Sequence, residues 1–257
     1  MPPSKQVLDR EKSTRAVVAA ADTHAPDIAA ALTRELSAHL HKGETLPDLT
    51  LIAHLIGRKV KADFEVLVRA DRAHEAELSD DAAPREARDT AAEKVRSALV
   101  DLRDSVTTAY GAAGLKKLGL SDAVSSDPTA VASRARSVKE ALEDDTIKLP
   151  KSRRPSLKVD LKGFAAELSA ELPALVKALD HVAREEREAK VTQAAKNDAM
   201  AGHDRGFSRG AGLLAGLASY GGLEEVAATI RPSTRKAGRT VAEVEEEPPA
   251  GGDGAGG

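Results

Sequence analysis

Cysteine and tryptophan are absent from the 257-residue chain, which has only three phenylalanines and two tyrosines. The lack of cysteine excludes disulfide bonds, thiolate metal sites and a cysteine nucleophile, and it fits a reducing compartment. Large aromatic side chains usually dominate core and interface energetics. Because they are scarce here, we expect leucine, valine and alanine to fill the interior and the helix contacts to be narrow.

Long apolar runs and a strong net charge are also missing. The longest stretch rich in glycine, alanine and leucine covers residues 210–220, far fewer than the ~20 residues needed to span a bilayer. The N-terminus is interrupted by charges and has no apolar segment of the signal-peptide type. The 38 basic and 41 acidic residues leave a net charge of −3, which gives no overall attraction to nucleic acid or anionic lipid. We therefore expect a cytoplasmic protein without membrane contact.

Charged residues make up 31% and hydrophobic residues 41% of the chain, and alanine is abundant. This composition is typical of long helices and coiled coils. Apolar residues recur at intervals of three and four, the period of an amphipathic helix. The predicted fold is all-α, an elongated antiparallel helical bundle with coiled-coil-like long helices. Its core is formed by the second, third and longest helices, with the first and fourth as shorter additions. The predicted helices cover residues 27–42, 49–78, 84–113, 128–144, 160–220 and 223–230.

Proline positions and composition divide the chain into three parts. Pro26 is placed to open the first helix, since proline is favoured in a first helical turn, so residues 1–26 are predicted to be a partly flexible N-terminal segment. Residues 27–231 form the predicted helical bundle domain. Residues 232–257 turn from basic to acidic to glycine-rich and hold too little apolar surface to fold. We expect a disordered tail whose removal leaves the stability unchanged.

Three glycines stand four residues apart inside the longest predicted helix: Gly202, Gly206 and Gly210. Each costs up to about 1 kcal/mol relative to alanine in a helix interior, so three in register need a reason. Residues four apart lie on one helix face, and a ridge without side chains lets another helix approach closely. The alternative is a frayed or broken helix. We interpret the three as a candidate helix-contact ridge, and the charged residues among them exclude a membrane role.

The sequence carries no persuasive catalytic, nucleotide-binding or metal-binding motif. It has no glycine-rich phosphate loop and no nucleophile elbow. Di-iron centres in helix bundles require Glu-x-x-His pairs, and the nearest approximation is Asp71 with His74, together with His203. We interpret His74 instead as the polar end of a helix contact. The predicted protein is not an enzyme and binds no metal and no cofactor.

Three polar residues interrupt the apolar stripe of the longest helix between Val182 and Met200: Glu186, Gln193 and Lys196. A buried charge is expensive unless it is paired. These residues must therefore be either solvated or matched by opposite charges on a facing helix, such as Asp63 or Asp71.

Four basic residues at the start of the tail form a candidate basic patch: Arg231, Arg235, Lys236 and Arg239. Such a patch can neutralise phosphates, but it lacks the aromatic residues of a single-strand platform and the recognition helix of a duplex reader. Long helices with charged faces favour a non-enzymatic scaffold or protein-protein interaction protein, whose partner is another protein or a second copy of the chain. The alternatives are a nucleic-acid-associated or regulatory factor that uses the basic tail, and a metal- or cofactor-carrying bundle.

Three further segments are AELSDDAAPREARD (Ala76–Asp89), AYGAAGLKKLGL (Ala109–Leu120) and IRPSTRKAGRT (Ile230–Thr240). They resemble a recurrent group of alanine-rich helical proteins from GC-rich bacterial genomes. The resemblance extends over about residues 46–240. It implies a helical fold and a bacterial origin, and it assigns no functional residue.

Overall fold

The structure, a computed structural model, is an all-α helical bundle and describes residues 3–80, 82–153 and 158–246. Within these ranges the chain forms seven α-helices, and a short 3-10 turn, Ser37–His39, follows the first. No helix in the described ranges is both long enough and apolar enough to cross a membrane. The all-α prediction is confirmed. The helices are α1 (Lys5–Leu36), α2 (Leu49–Asp80), α3 (Ala82–Lys117), α4 (Pro128–Glu143), α5 (Leu161–Tyr220), α6 (Glu224–Ile230) and α7 (Val241–Glu246).

The chain divides into two compact units, each with its own hydrophobic core. Unit 1 comprises the described residues up to 76 and from 191 onward, and unit 2 comprises those from 77 to 190. Helices α2 and α5 contribute residues to both. This division replaces the single bundle domain predicted over 27–231. The apolar periods of α2 and α5 continue past both dividing points, so hydrophobic periodicity does not indicate this division.

Unit 1 is built from helices that approach closely through small side chains. A Cβ atom added at Gly57 of α2 would lie 2.7 Å from the Cβ atom of Ala21 on α1. One added at Gly221, directly after α5, would lie 2.8 Å from that of Ala31. Both distances are too short for real carbon atoms, so glycine is needed for this packing. The core consists of Val17, Ala21, Ala25, Ile28, Leu32, Ala53, Val60, Phe207, Ala211, Leu214, Ala215, Ala218, Ala227 and Ile230.

Unit 2 has a core of leucine, valine and alanine from α3, α4 and the first part of α5. The predicted cap of α4 is present: the Asp127 side chain accepts a 2.8 Å hydrogen bond from the Ala130 N–H. Helix α5 continues through Pro173, so no new helix begins there. Helices α2 and α3, the second and third predicted helices, therefore belong to different cores. Helices α1 and α4, the first and fourth, each contribute buried residues to one of those cores. The core consists of Ala92, Val95, Ala98, Leu99, Leu102, Val106, Leu115, Leu118, Leu120, Val131, Ala132, Ala135, Val138, Leu168, Leu172 and Leu175.

Helix α1 begins at Lys5 and continues through Pro26 to Leu36. This corrects the predicted start at Asp27 and the partly flexible segment over 1–26. Proline inside a helix removes one backbone hydrogen bond, but the residues on both sides of it bury one continuous face. The buried positions of α1 are Val7, Ser13, Thr14, Val17, Ala21, Ala25, Ile28, Ala31 and Leu32.

The first part of the predicted disordered tail is packed on unit 1. Pro232 and Thr240 form an isolated antiparallel bridge, and the backbone N–H of Thr240 donates to Ser13 Oγ at 3.1 Å. Helix α7 follows directly. The tail boundary at 232 is therefore corrected, because polar contacts with α1 hold a segment that has little apolar surface of its own. Most of the acidic stretch lies in α7, and the proline- and glycine-rich end over 247–257 lies outside the described residues.

Candidate functional site

In the part of the chain that the structure describes, every buried polar or charged side chain belongs to unit 1. Burying such groups is expensive unless they are hydrogen-bonded or paired. Their partners therefore show which contacts hold the helices of unit 1 in register. The buried polar residues are also the first candidates for a chemical function. The residues are Ser13, Thr14, Asp71, His74, Lys196, His203, Arg239, Thr240 and Glu243.

A buried ion pair joins α2 to α5. The Lys196 ammonium lies 2.7 Å from Asp71 Oδ1, and the two side chains are 7% and 1% exposed. The backbone N–H and the hydroxyl of Ser4, immediately before α1, donate to the two Asp71 oxygens at 2.8 and 2.6 Å. Glu75 places a second carboxylate 3.5 Å from the ammonium. Of the two partners considered from the sequence, Asp71 is the one that Lys196 uses.

A second buried network joins α1 to α5 around His203. The Nε2 atom of His203 lies 3.0 Å from Thr14 Oγ1, and its Nδ1 atom lies 3.2 Å from Asp204 Oδ1. Arg10 donates to both Asp204 oxygens, at 2.7 and 2.8 Å. Because a carboxylate only accepts hydrogen bonds, the proton of a neutral His203 sits on Nδ1, and the Thr14 hydroxyl donates to Nε2. The ring of Phe64 meets the imidazole edge-on, with the centroids 5.6 Å apart.

The carboxylates of Asp71, which is buried, and Asp204, which is partly buried, are held in the ionised form. Burial alone would raise the pKa of Asp204, but the hydrogen bonds from Arg10 and His203 outweigh it and lower the pKa from its ordinary 3.8 to about 2. Burial likewise opposes the charge of Asp71, and the hydrogen bonds from Lys196 and from the residue before α1 lower its pKa. At neutral pH the two networks consist of charges that are satisfied inside the protein.

The order threonine, histidine, aspartate resembles the relay of nucleophilic enzymes, but its surroundings do not suit that chemistry. Thr14 is 3% exposed, and its hydroxyl is already bonded to His203 Nε2. The backbone N–H groups around Thr14 belong to α1 and bond to carbonyls of the preceding turn, so they cannot form an oxyanion hole. The network instead fixes α1 against α5.

The side chains that approximate a metal site in the sequence have other partners. His74 Nδ1 lies 3.0 Å from Thr192 Oγ1, and both ring nitrogens of His203 are occupied. These contacts agree with the interpretation of His74 as a polar helix contact. Surface carboxylates commonly cluster without an ion, so acidic residues alone define no metal site. One such cluster in unit 2, with oxygens within 4.8 Å of one another, consists of Glu77, Glu185 and Glu188.

Helix α5 is continuous through all three glycines of the candidate ridge. A Cβ atom at Gly210 would lie 2.6 Å from Cγ2 of Val60 on α2, and one at Gly206 would collide with the carboxylate of Asp63. A Cβ atom at Gly202 would meet nothing within 4 Å. Two of the glycines therefore allow α5 to approach α2 closely, and Gly202 does not take part.

The four residues of the candidate basic patch do not share one surface. Arg239 is buried, and its Nη1 atom donates to the carbonyl oxygen of Asp9 at 2.8 Å. Its Nε atom lies 3.2 Å from Glu243 Oε1. One of the four cations of the patch is therefore buried in unit 1. The exposed members are Arg231, Arg235 and Lys236.

The last turns of α5 carry an exposed surface that the sequence predictions did not include. Leu213 is 54% and Tyr220 is 63% exposed. Gly216 lies between them, and a Cβ atom added there would meet nothing within 4 Å. At 100° per residue, these three and Arg209 fall within an arc of about 60°, and we call these four residues the α5 face. The spacing of Leu213 and Tyr220, seven residues apart and away from the buried stripe, is the signal that could have identified it.

No protein-family model, curated protein or solved structure matches the chain. The function must therefore be inferred from its own residues.

Proposed function

We propose that the protein is a non-enzymatic, cytoplasmic helical protein-interaction protein that binds its partner through the α5 face. The observation that carries the proposal is the exposure of Leu213 and Tyr220 on one narrow arc of a helix. Single exposed apolar residues are common, but here two large ones flank an open glycine. Tyrosine suits the centre of an interface, because its ring buries a large apolar area while its hydroxyl keeps a polar partner.

The interior of unit 1 supports a non-enzymatic role. The Thr14 hydroxyl, the His203 ring and the Asp204 carboxylate are bonded to one another and to Arg10. Catalytic groups need access to a substrate and a change of partners during the reaction. Thr14 and His203 are buried, Asp204 is partly buried, and all three are already hydrogen-bonded, so the surface of the unit is the better place for its function.

The two alternatives from the sequence have less support. Nucleic-acid binding through the tail would have to proceed without Arg239, whose guanidinium bonds to α1 and α7. A metal or cofactor in the bundle would have to displace the buried pair of Asp71 and Lys196 or the hydrogen bonds of His203. The first alternative lacks one of its four cations and the second requires existing contacts to break, whereas binding at the α5 face requires neither.

Quantitative affinity capture with the full chain as bait tests the proposal. Wild type is compared with the double variant Leu213→Ser, Tyr220→Ser, and we expect the partner to be retained by wild type and lost from the variant. Removing the two apolar contacts leaves the core intact, since neither side chain is buried. Circular dichroism should show equal helicity in both proteins.

Val191→Ser is the matched control for this capture. Val191 is 69% exposed and lies on the same helix, about 33 Å from Leu213 at 1.5 Å per residue. The control should capture the partner as well as wild type does. If the double variant keeps every protein that wild type captures, the α5 face is not the binding surface and the proposal fails.

A further inference from the structure

We infer that the partner of the α5 face is the same face of a second copy of this chain, in an antiparallel arrangement with a two-fold axis between residues 216 and 217. The inference rests on the proposed function and names its partner. A two-fold interface requires a surface that is complementary to itself. The α5 face meets that requirement in its shape and in its charge.

The apolar part of the face is self-complementary in register. When two copies of α5 run antiparallel about this axis, Leu213 of one copy lies opposite Tyr220 of the other. Each leucine then packs against an aromatic ring, so the two-fold axis makes this contact twice. Such pairs add to the free energy gained by burying apolar area.

Gly216 lies beside the axis and allows the helices to approach. No residue that the structure describes fills the space of its missing side chain, because an added Cβ atom would have no neighbour there within 4 Å. Glycine at this position lowers the stability of the isolated helix relative to alanine. Gly206 and Gly210 differ from it, because their missing side chains make room for α2. A second helix packing at Gly216 would account for the glycine there.

The charges at the two ends of the face are opposite. Arg205 and Arg209 precede the apolar part, are exposed, and form no ion pair with any residue that the structure describes. Glu224 and Glu225 follow it at the start of α6, and both are exposed. The Ser219 hydroxyl donates to Glu224 Oε1 at 2.6 Å, which holds that carboxylate beside the last turn of α5.

This order of basic, apolar and acidic residues selects the antiparallel arrangement. In the antiparallel pair the basic end of each copy meets the acidic end of the other, so Arg209 comes near the start of α6 that carries Glu224, and two attractive contacts form. In a parallel pair the arginines would face arginines and the glutamates would face glutamates. Like charges brought together across an interface oppose binding. The second copy of the chain is therefore the partner that the charges of this face fit.

Sedimentation velocity on the full chain and on charge-reversed variants tests the pairing. We expect wild type to form a dimer. Arg209→Glu alone, and Glu224→Arg together with Glu225→Arg, should each raise the dissociation constant by at least about tenfold, because like charges then meet across the axis. An equimolar mixture of the two variants should restore the dimer, since each reversed charge meets an opposite one.

Two glycine substitutions provide a matched control. Gly216→Ala and Gly202→Ala each add a methyl group to α5 in open space. Gly216→Ala should raise the dimer dissociation constant, because its methyl group stands where the second helix approaches. Gly202→Ala should leave that constant unchanged.

Three results would overturn the inference: a monomeric wild type, a mixture of charge-reversed variants that does not pair, or a Gly216→Ala protein that dimerises as tightly as wild type. The capture experiment separates this failure from that of the proposed function. If wild type is monomeric but a different protein is captured and then lost from the Leu213→Ser, Tyr220→Ser variant, only self-association is refuted. If the Leu213→Ser, Tyr220→Ser variant also retains the captured protein, both self-association and the proposed function are refuted.

Discussion

Unit 2 buries leucine and valine and has no buried charged side chain among its described residues, whereas unit 1 buries an ion pair, a histidine network and close alanine and glycine contacts. Both units lack tryptophan, and the whole chain has only three phenylalanines. Large aliphatic side chains fill the space between helices in unit 2. In unit 1 the helices lie close enough together for small residues to be in contact.

The difference teaches how an aromatic-poor chain can specify helix register. Leucine burial stabilises a bundle without strongly selecting which residues face each other. The pair of Asp71 and Lys196 selects them, because sliding either helix would leave a buried charge unpaired. The steric fit of Gly210 against Val60 adds a second constraint on the same two helices.

The largest expected effect comes from breaking the buried pair in unit 1. Lys196→Met leaves the Asp71 carboxylate buried without its ammonium, and removing one partner of a buried pair costs about 3–5 kcal/mol. Chemical denaturation should show this loss of unfolding free energy. Hydrogen exchange should place the loss in unit 1.

Two variants control for this effect. Lys59→Met removes an ammonium that is 69% exposed, and its ion pair with Asp63 lies on the surface of α2, so we expect little change in stability. Asp71→Leu combined with Lys196→Met removes both charges and should be more stable than Lys196→Met alone. If Lys196→Met is as stable as wild type, the pair does not hold unit 1 together.

The glycines of α5 should respond to alanine in three different ways. Gly210→Ala should lose about 1–3 kcal/mol, because its methyl group would overlap the fully buried Val60. Gly206→Ala should be close to neutral, since the Asp63 carboxylate that it meets can move and alanine favours the helix. Gly202→Ala should gain up to about 1 kcal/mol, because nothing opposes its helix propensity.

Thermal and urea denaturation of the three alanine variants would check this order. Equal effects at all three positions would show that the contact between α5 and α2 is looser than the structure indicates.

Acid should weaken unit 1 through Asp204. Its pKa in the folded protein is about 2, below its ordinary 3.8. A group with a lowered folded pKa stabilises the protein above its unfolded pKa, and this stability is lost as the pH falls through the folded pKa. We expect Asp204→Asn to be less stable than wild type by about 1–2 kcal/mol at neutral pH, after allowance for solvent screening, and the difference to shrink between about pH 4 and pH 2. A difference that is constant across this pH window would contradict the ionised contact.

Helix type and most helix positions could be predicted from the sequence, because the apolar spacing of α2, α4 and α5 is regular. The start of α1 could not be predicted in this way. Proline is common in a first helical turn, so Pro26 indicated that the first helix begins there. Tertiary packing overrides that preference, since Ala25 before it and Ile28 after it are both fully buried.

The site was predictable only in part. The position of Lys196 on an apolar stripe required a partner, and Asp71 was one of two candidates. Which of the two it meets depends on the register of α2 against α5, and hydrophobic periodicity does not fix that register. Thr14 and Arg10 were missed because they belong to a segment that Pro26 had excluded from the predicted bundle.

The absence of cysteine from the chain allows one direct measurement of the central claim, that the α5 face pairs with itself. A single cysteine is introduced at Gly216, beside the axis, and separately at Gly202, where an added Cβ atom also meets no described residue within 4 Å and which lies about 21 Å from Gly216 along the helix. Because a side chain added at Gly216 weakens the pair, each full-length variant is treated with a short bis-maleimide at a protein concentration well above the dissociation constant measured for Gly216→Ala, and covalent dimers are counted by denaturing electrophoresis. The account predicts an abundant dimer for Gly216→Cys and almost none for Gly202→Cys. Equal cross-linking of the two variants, or none in either, would contradict it.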